Sequence, residues 1–125
     1  MAGTLVANTI NTDTGLFSTN NAYSGIAKAW VNFNGSTGAI NGSFNVSSIT
    51  VNTTGDYTVN FTTAMTNANY CAVPAGSQAT YTSYNFSIGI SQATTPTTSA
   101  IRLLAINGAS TSVNPPLVTL AIFGA

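Results

Sequence analysis

From Ala27 to Phe61 the apolar residues recur mostly at every second position, the period of a half-buried strand. Ala29, Val31 and Phe33 share one face of such a strand, and Lys28, Trp30 and Asn32 the other. The alternation is cleanest in Tyr57-Thr58-Val59-Asn60-Phe61, which points Tyr57, Val59 and Phe61 inward and Thr58 and Asn60 outward. Between these segments Phe44 and Val46 are in one phase, and Ile49 and Val51 in the other. A slip of that kind at Ser47-Ser48 predicts one extra residue in a bulge. The pattern therefore predicts strands over 26–34, 43–51 and 57–62.

Turn chemistry divides the rest. Asn34-Gly35-Ser36-Thr37-Gly38 favours positive φ, as a tight hairpin requires. Ala39 to Gly42 reads as a second bend, and Asn52 to Asp56 as the turn of the clearest hairpin. Residues 64–69 read as a connection with room for a helical turn. Tyr70 to Val73 reads as a short strand stopped by Pro74, which has no N–H for a central ladder. Tyr81 to Ser91 is a strand with Tyr84, Phe86, Ile88 and Ile90 on one face. Gly89 falls on the other face, where close approach of a neighbour would suit it. Residues 101–106 and 117–123 are apolar enough to be buried strands, and 107–116 is the longest irregular piece. At the start, Leu5 to Ile10 alternates as an edge strand or arm, and 11–21 is a polar loop anchored by Phe17.

The expectation is all-β: residues 1–20 as an N-terminal arm or loop, and 21–125 as a single two-sheet β-sandwich, jelly-roll or Ig-like, of about 7–8 strands. Strand order is left open.

Charge sharpens this picture. Only 3% of the 125 residues are charged, two basic and two acidic, where ordinary domains carry about 25%. Two basic residues give no footprint for nucleic acid. Neither a polybasic segment nor an apolar run near ~20 residues points to a membrane. Met1 to Val6 lacks the pattern of a secretory signal, so the six Asn-x-Ser/Thr triplets read as unglycosylated. A surface so poor in charge must be covered by Asn, Ser and Thr, or buried in an assembly.

Candidate chemistry is sparse. There is no His, and the side-chain carboxylates are Asp13 and Asp56 alone, one in a loop and one at a hairpin turn. No catalytic, cofactor or metal residue is assigned, and no cofactor is expected. Cys71 has no disulfide partner and reads as a small buried hydrophobe. Arg102, within an apolar strand, has to escape at an edge or find a partner. Trp30 reads as core or interface, with a sugar-stacking face as the alternative. Tyr81 to Tyr84 reads as an outward strand face, with an adaptable binding surface as the alternative. The residues singled out for core or interface are Leu5, Val6, Ile10, Phe17, Trp30, Leu117, Leu120 and Phe123.

Four blocks in order, GIAKAWVNFNG, GSFNVSSIT, TGDYTVNFTTAM and NANYCAV, span Gly25 to Val73. Together they resemble a module of tailed-phage virion proteins, of the tail-fibre and capsid-decoration kind, from cyanobacterial and marine phages. The opening TLVANTINTDTG is similar to the start of such appendage proteins. The resemblance implies an all-β particle component, commonly trimeric, with no catalytic residues. It leads to the expectation of a non-enzymatic homotrimeric capsid decoration (cement) protein, located in the virion and assembled in the bacterial host cytoplasm. Its partners would be itself and the major capsid protein or tail proteins, with no nucleic acid and no membrane. The alternative is a tail-fibre or appendage module that recognises host cell-surface glycan.

Overall fold

Alternating segments become strands, and polar Gly- and Asn-rich segments become their connections. The computed structural model describes residues 3, 9–12, 15–18, 25–77 and 86–124. Ten strands are found among them: β1 (Thr9–Thr12), β2 (Gly15–Ser18), β3 (Ala27–Phe33), β4 (Ile40–Phe44), β5 (Val46–Thr53), β6 (Asp56–Phe61), β7 (Cys71–Ser77), β8 (Phe86–Ile90), β9 (Ala100–Asn107) and β10 (Leu117–Phe123). β1 and β2 form a separate two-stranded antiparallel hairpin. The other eight form two antiparallel sheets of four, ordered β4-β3-β10-β7 and β5-β6-β9-β8. The expected all-β two-sheet sandwich is the fold.

The inward faces follow the sequence phase. Ala29, Val31, Phe33, Val118, Leu120 and Ile122 from the first sheet meet Tyr57, Val59, Phe61, Ile101, Leu103 and Ala105 from the second. Phe33 and Tyr57 cross the interior edge to face, with centroids 5.3 Å apart. Each fully buried side chain of this size contributes about 1.5–3 kcal/mol relative to exposure. The apolar last strand lies between β3 and β7, so its inward residues are covered by the second sheet.

Several local expectations are corrected. Residues 43–51 are not one bulged strand. The chain leaves the first sheet at Phe44 and enters the second at Val46. Between them Asn45 adopts φ 53°, in the left-handed region that Asn tolerates. Its side chain fixes the crossing: Nδ2 donates to the carbonyls of Lys28 and Thr63, and Oδ1 accepts from the Thr63 N–H at 2.7 Å. A register irregularity does fall between Val46 and Ser48, so the slip at Ser47 is a bulge as read. The bend expected over residues 39–42 is instead largely strand, β4.

Pro74 does not end its strand. β7 runs from Cys71 to Ser77 and is an edge strand, where a missing N–H faces away from the ladder. Residues 64–69 form no helical turn; Met65 is buried there and its N–H donates to the Thr98 carbonyl at 2.8 Å. The polar loop expected over 11–21 contains β2. The arm residues Leu5 and Val6, and the face Tyr81 to Tyr84, lie outside the described residues.

Candidate functional site

The outer faces of the two sheets differ in where their polar and apolar residues fall. On the second sheet the outward residues of β5 and β6, with Arg102 of β9, are polar and hydrogen-bonded, while Leu104 and Ile106 of β9 lie half-buried on the same face. Asn60 Nδ2 donates to Ser48 Oγ (3.1 Å) and Thr50 Oγ1 (3.2 Å). Asn52 Nδ2 donates to Thr58 Oγ1 (2.9 Å) and Asp56 Oδ1 (3.0 Å). Arg102 closes the network, donating from Nε to Asp56 Oδ1 at 2.7 Å, from a terminal nitrogen to Asp56 Oδ2, and from Nη1 to Thr94 Oγ1 at 3.2 Å. The Arg102 hydrogen bonds hold the Asp56 carboxyl below its ordinary range, against the opposing effect of burial. Asp56 is thus more than a turn residue, and Arg102 takes the second of its two expected fates by pairing across β6 and β9.

The first sheet carries an apolar stripe on its outer face. Register places Phe44 of β4 beside Trp30 of β3, Trp30 beside Ala121 of β10, and Ala121 beside Val73 of β7. The stripe therefore crosses all four strands. Phe44, Val73 and Trp30 are 55%, 53% and 44% exposed. The six-membered ring of the Trp30 indole lies over Gly42, whose Cα hydrogen leaves the space it needs. Next to it Asn41 Nδ2 donates to Asn32 Oδ1 at 2.9 Å. Phe123 and Cys71 are register partners one step along from the Ala121–Val73 pair on the same face.

Of the residues singled out, Trp30 is on this outer face and not in the core. Leu120 is in the core, while Leu117 and Phe123 are half-buried on the outer side of β10. Ile10 and Phe17 are register partners in the β1–β2 hairpin. Cys71 is exposed, which corrects its reading as a buried hydrophobe. Among the described residues no atom lies within 4 Å of where a side-chain carbon on Gly89 would stand, so no close approach among them explains it.

Sequence reading missed two residues. Phe44 seemed in phase with the buried Val46, and the change of sheet at Asn45 reverses that inference. Asn114, in the irregular segment before β10, accepts at Oδ1 from the Gly55 N–H (2.8 Å) and the Tyr57 hydroxyl (3.0 Å). Its position just before Pro115-Pro116 was the available signal, since Asn before Pro marks a fixed turn.

Among the described residues no group of three or more His, Cys, Asp or Glu could hold a metal ion. No helix among them is long and apolar enough to cross a membrane. Compared with protein-family models, with curated proteins and with solved structures, the chain matches none.

Proposed function

We propose that the protein is a non-enzymatic structural component of a phage particle, a homotrimeric decoration protein that binds the capsid and stabilises it. One observation carries this reading: the first sheet turns out an apolar stripe from Phe44 to Val73, while the β5–β6 part of the second turns out hydrogen-bonded polar residues. A sandwich with an exposed apolar stripe across one sheet is suited to lie against a neighbour on that side. The resemblance of residues 25–73 to phage virion modules supplies the particle, and the 3% charged content agrees with a surface that is largely in contact. Attachment through apolar and backbone contacts depends weakly on salt. Quantitative mass spectrometry of purified particles tests the reading. Hundreds of copies per particle support decoration; a few tens refute it and favour a tail appendage.

A second reading is favoured by Trp30. An exposed indole over a glycine, beside the amides of Asn32 and Asn41, is a surface on which a neutral sugar ring could stack and hydrogen-bond. Under it the protein is a receptor-binding appendage for host glycan, and whole-cell or glycan-array binding by the isolated chain checks it.

A further inference from the structure

Three Asn-Gly pairs occur in the chain, at Asn34, Asn41 and Asn107. In such a pair the glycine nitrogen can approach the side-chain carbonyl carbon of the asparagine, because no Cβ on the glycine stands in the way. Two local features favour its attack. The glycine N–H is not held by another acceptor, and Oδ1, which takes the negative charge as the nitrogen adds to Cγ, is held by donors, as an oxyanion hole holds an acyl-transfer intermediate. The fold gives the three pairs different combinations. Asn34 has the donors, the N–H groups of Ser36 (2.8 Å) and Thr37 (3.2 Å), but the Gly35 N–H donates to the Pro115 carbonyl at 3.0 Å and Gly35 is buried. Asn41 lies in β4; its Nδ2 donates to Asn32 Oδ1, and among the described residues no donor holds its own Oδ1. Asn107 has both features. Its Oδ1 accepts from the N–H groups of Ala109 at 3.0 Å and Thr111 at 2.9 Å. Gly108 is exposed in the turn after β9, and among the described residues its N–H meets no acceptor.

We propose that Asn107 is a self-modifying site, converted by attack of the Gly108 nitrogen into an aspartyl or isoaspartyl residue. Hydroxide removes the Gly108 amide proton, and the nitrogen forms a bond to Cγ of Asn107. The charge that develops on Oδ1 is held by the Ala109 and Thr111 N–H groups. The bond from Cγ to Nδ2 then breaks, and Nδ2 takes protons from water and leaves as ammonia. Hydroxide opens the resulting cyclic imide at either of its two carbonyls and leaves a carboxylate. In sum the amide and one water become a carboxylate and ammonium, and nothing is oxidised or reduced. The product differs in charge and in backbone. The formal net charge moves from zero to one unit negative, in a chain with two acidic residues. The isoaspartyl form also routes the main chain through the side-chain methylene. That change falls where the Asn107 N–H donates to the Thr111 carbonyl and the Ser110 N–H to the Asn107 carbonyl, at the start of the loop that carries Asn114. The inference is independent of the particle and glycan readings.

Trypsin separates the three pairs, because Lys28 and Arg102 are the two basic residues. Peptide 103–125 contains Asn107 and, besides it, only Asn114, whose neighbour Pro115 has no N–H to attack with. Peptide 29–102 contains Asn34 and Asn41. The full chain is held folded at mildly alkaline pH, sampled over time, digested and weighed by mass spectrometry, beside a sample held in denaturant. From the folded chain the amide-to-acid mass gain should accumulate in 103–125 at least about tenfold faster than in 29–102, a small part of the roughly 10²–10³ that one oxyanion donor supplies in an enzyme. In denaturant the three pairs should react alike, so 29–102, with two of them, should lead instead. Equal gains in the folded chain, an earlier gain in 29–102, or no gain in 103–125 would each overturn the proposal. A lead of 103–125 that persists in denaturant would assign the reactivity to local sequence and overturn the part given to the fold. Isoelectric focusing supplies a second measurement. The folded parent should build up a more acidic band, and Asn107→Gln should not. Gly108→Ala, at a residue without positive φ, should slow the band by hindering the approach of the nitrogen. A band that forms as fast in Gly108→Ala as in the parent would overturn attack by the Gly108 nitrogen.

Discussion

The hydroxyl of Tyr57, a fully buried residue, donates to Oδ1 of Asn114 at 3.0 Å. The same oxygen accepts the Gly55 N–H, while the Gly35 N–H donates to the Pro115 carbonyl. One short segment thereby ties the β3–β4 and β5–β6 turns to the segment that enters β10. Asn114→Ala leaves the Gly55 and Tyr57 donors without their acceptor. A loss of about 2 kcal/mol or more in denaturant unfolding is expected, against about 1 kcal/mol for Tyr57→Phe, which removes donor and need together.

Tyr57 also makes the fold sensitive to base. Burial first, and the Asp56 charge second, push its ionisation from 10.0 up to about 12. The folded state holds the proton that the unfolded chain releases, so the contribution is complete below pH 10.0 and is lost as pH rises toward 12. Over that window the folding equilibrium constant should fall by roughly tenfold per pH unit through Tyr57. Tyr57→Phe should remove that part of the alkaline slope; an unchanged slope would contradict the assignment.

Acid acts through Asp56. Arg102 holds its carboxyl below the ordinary 3.8, so its stabilisation is present above that pH and is lost as pH falls through the lower folded value. Asp56→Asn should flatten the stability profile below pH 3.8 and lower stability at pH 7. Urea unfolding at several pH values reads both effects.

Two glycines should respond oppositely to alanine. Gly55 has φ +70°, and a Cβ there would stand 2.5 Å from the Ala105 carbonyl oxygen. Gly55→Ala should cost about 1–2 kcal/mol from the left-handed backbone alone, with the clash in addition. Gly89 has no positive φ and open space among the described residues. Gly89→Ala should be neutral or should stabilise by up to about 1 kcal/mol, by restricting the unfolded chain.

Core truncation sets the scale for these changes. Ile122 is fully buried on the last strand, so Ile122→Ala should lose about 2–5 kcal/mol in the same unfolding measurement.

How much of this was legible in sequence depended on the range of the signal. Alternation of period two is local and survives folding, so β3, β6, β9 and β10, and their inward faces, match the reading closely. The β5–β6 hairpin was legible for the same reason, through Gly55. The passage at Asn45 was not, because a single left-handed residue that switches sheets looks like an uninterrupted strand when neither sheet is known. Pro74 was misread because its effect depends on whether its strand is central or at an edge, which is a property of the whole sheet. The apolar stripe was hidden for a third reason. Phe44, Trp30 and Val73 belong to three separate segments, and only the register across β10 brings them into line.

The sandwich begins with β3 and ends with β10, and these two are hydrogen-bonded neighbours with Ala27 opposite Phe123. Both ends of the sandwich thus leave from one rim, opposite the rim knotted by Asn114. A tether fixed at residue 25 and another fixed at residue 124 would emerge side by side. Pulled apart, they would part β3 from β10 one rung after another, as a zipper opens. Pulled together as a pair, they would load the sandwich as a single body. An attachment that gripped both ends would be mechanically much stronger than one that gripped either end against a distant point.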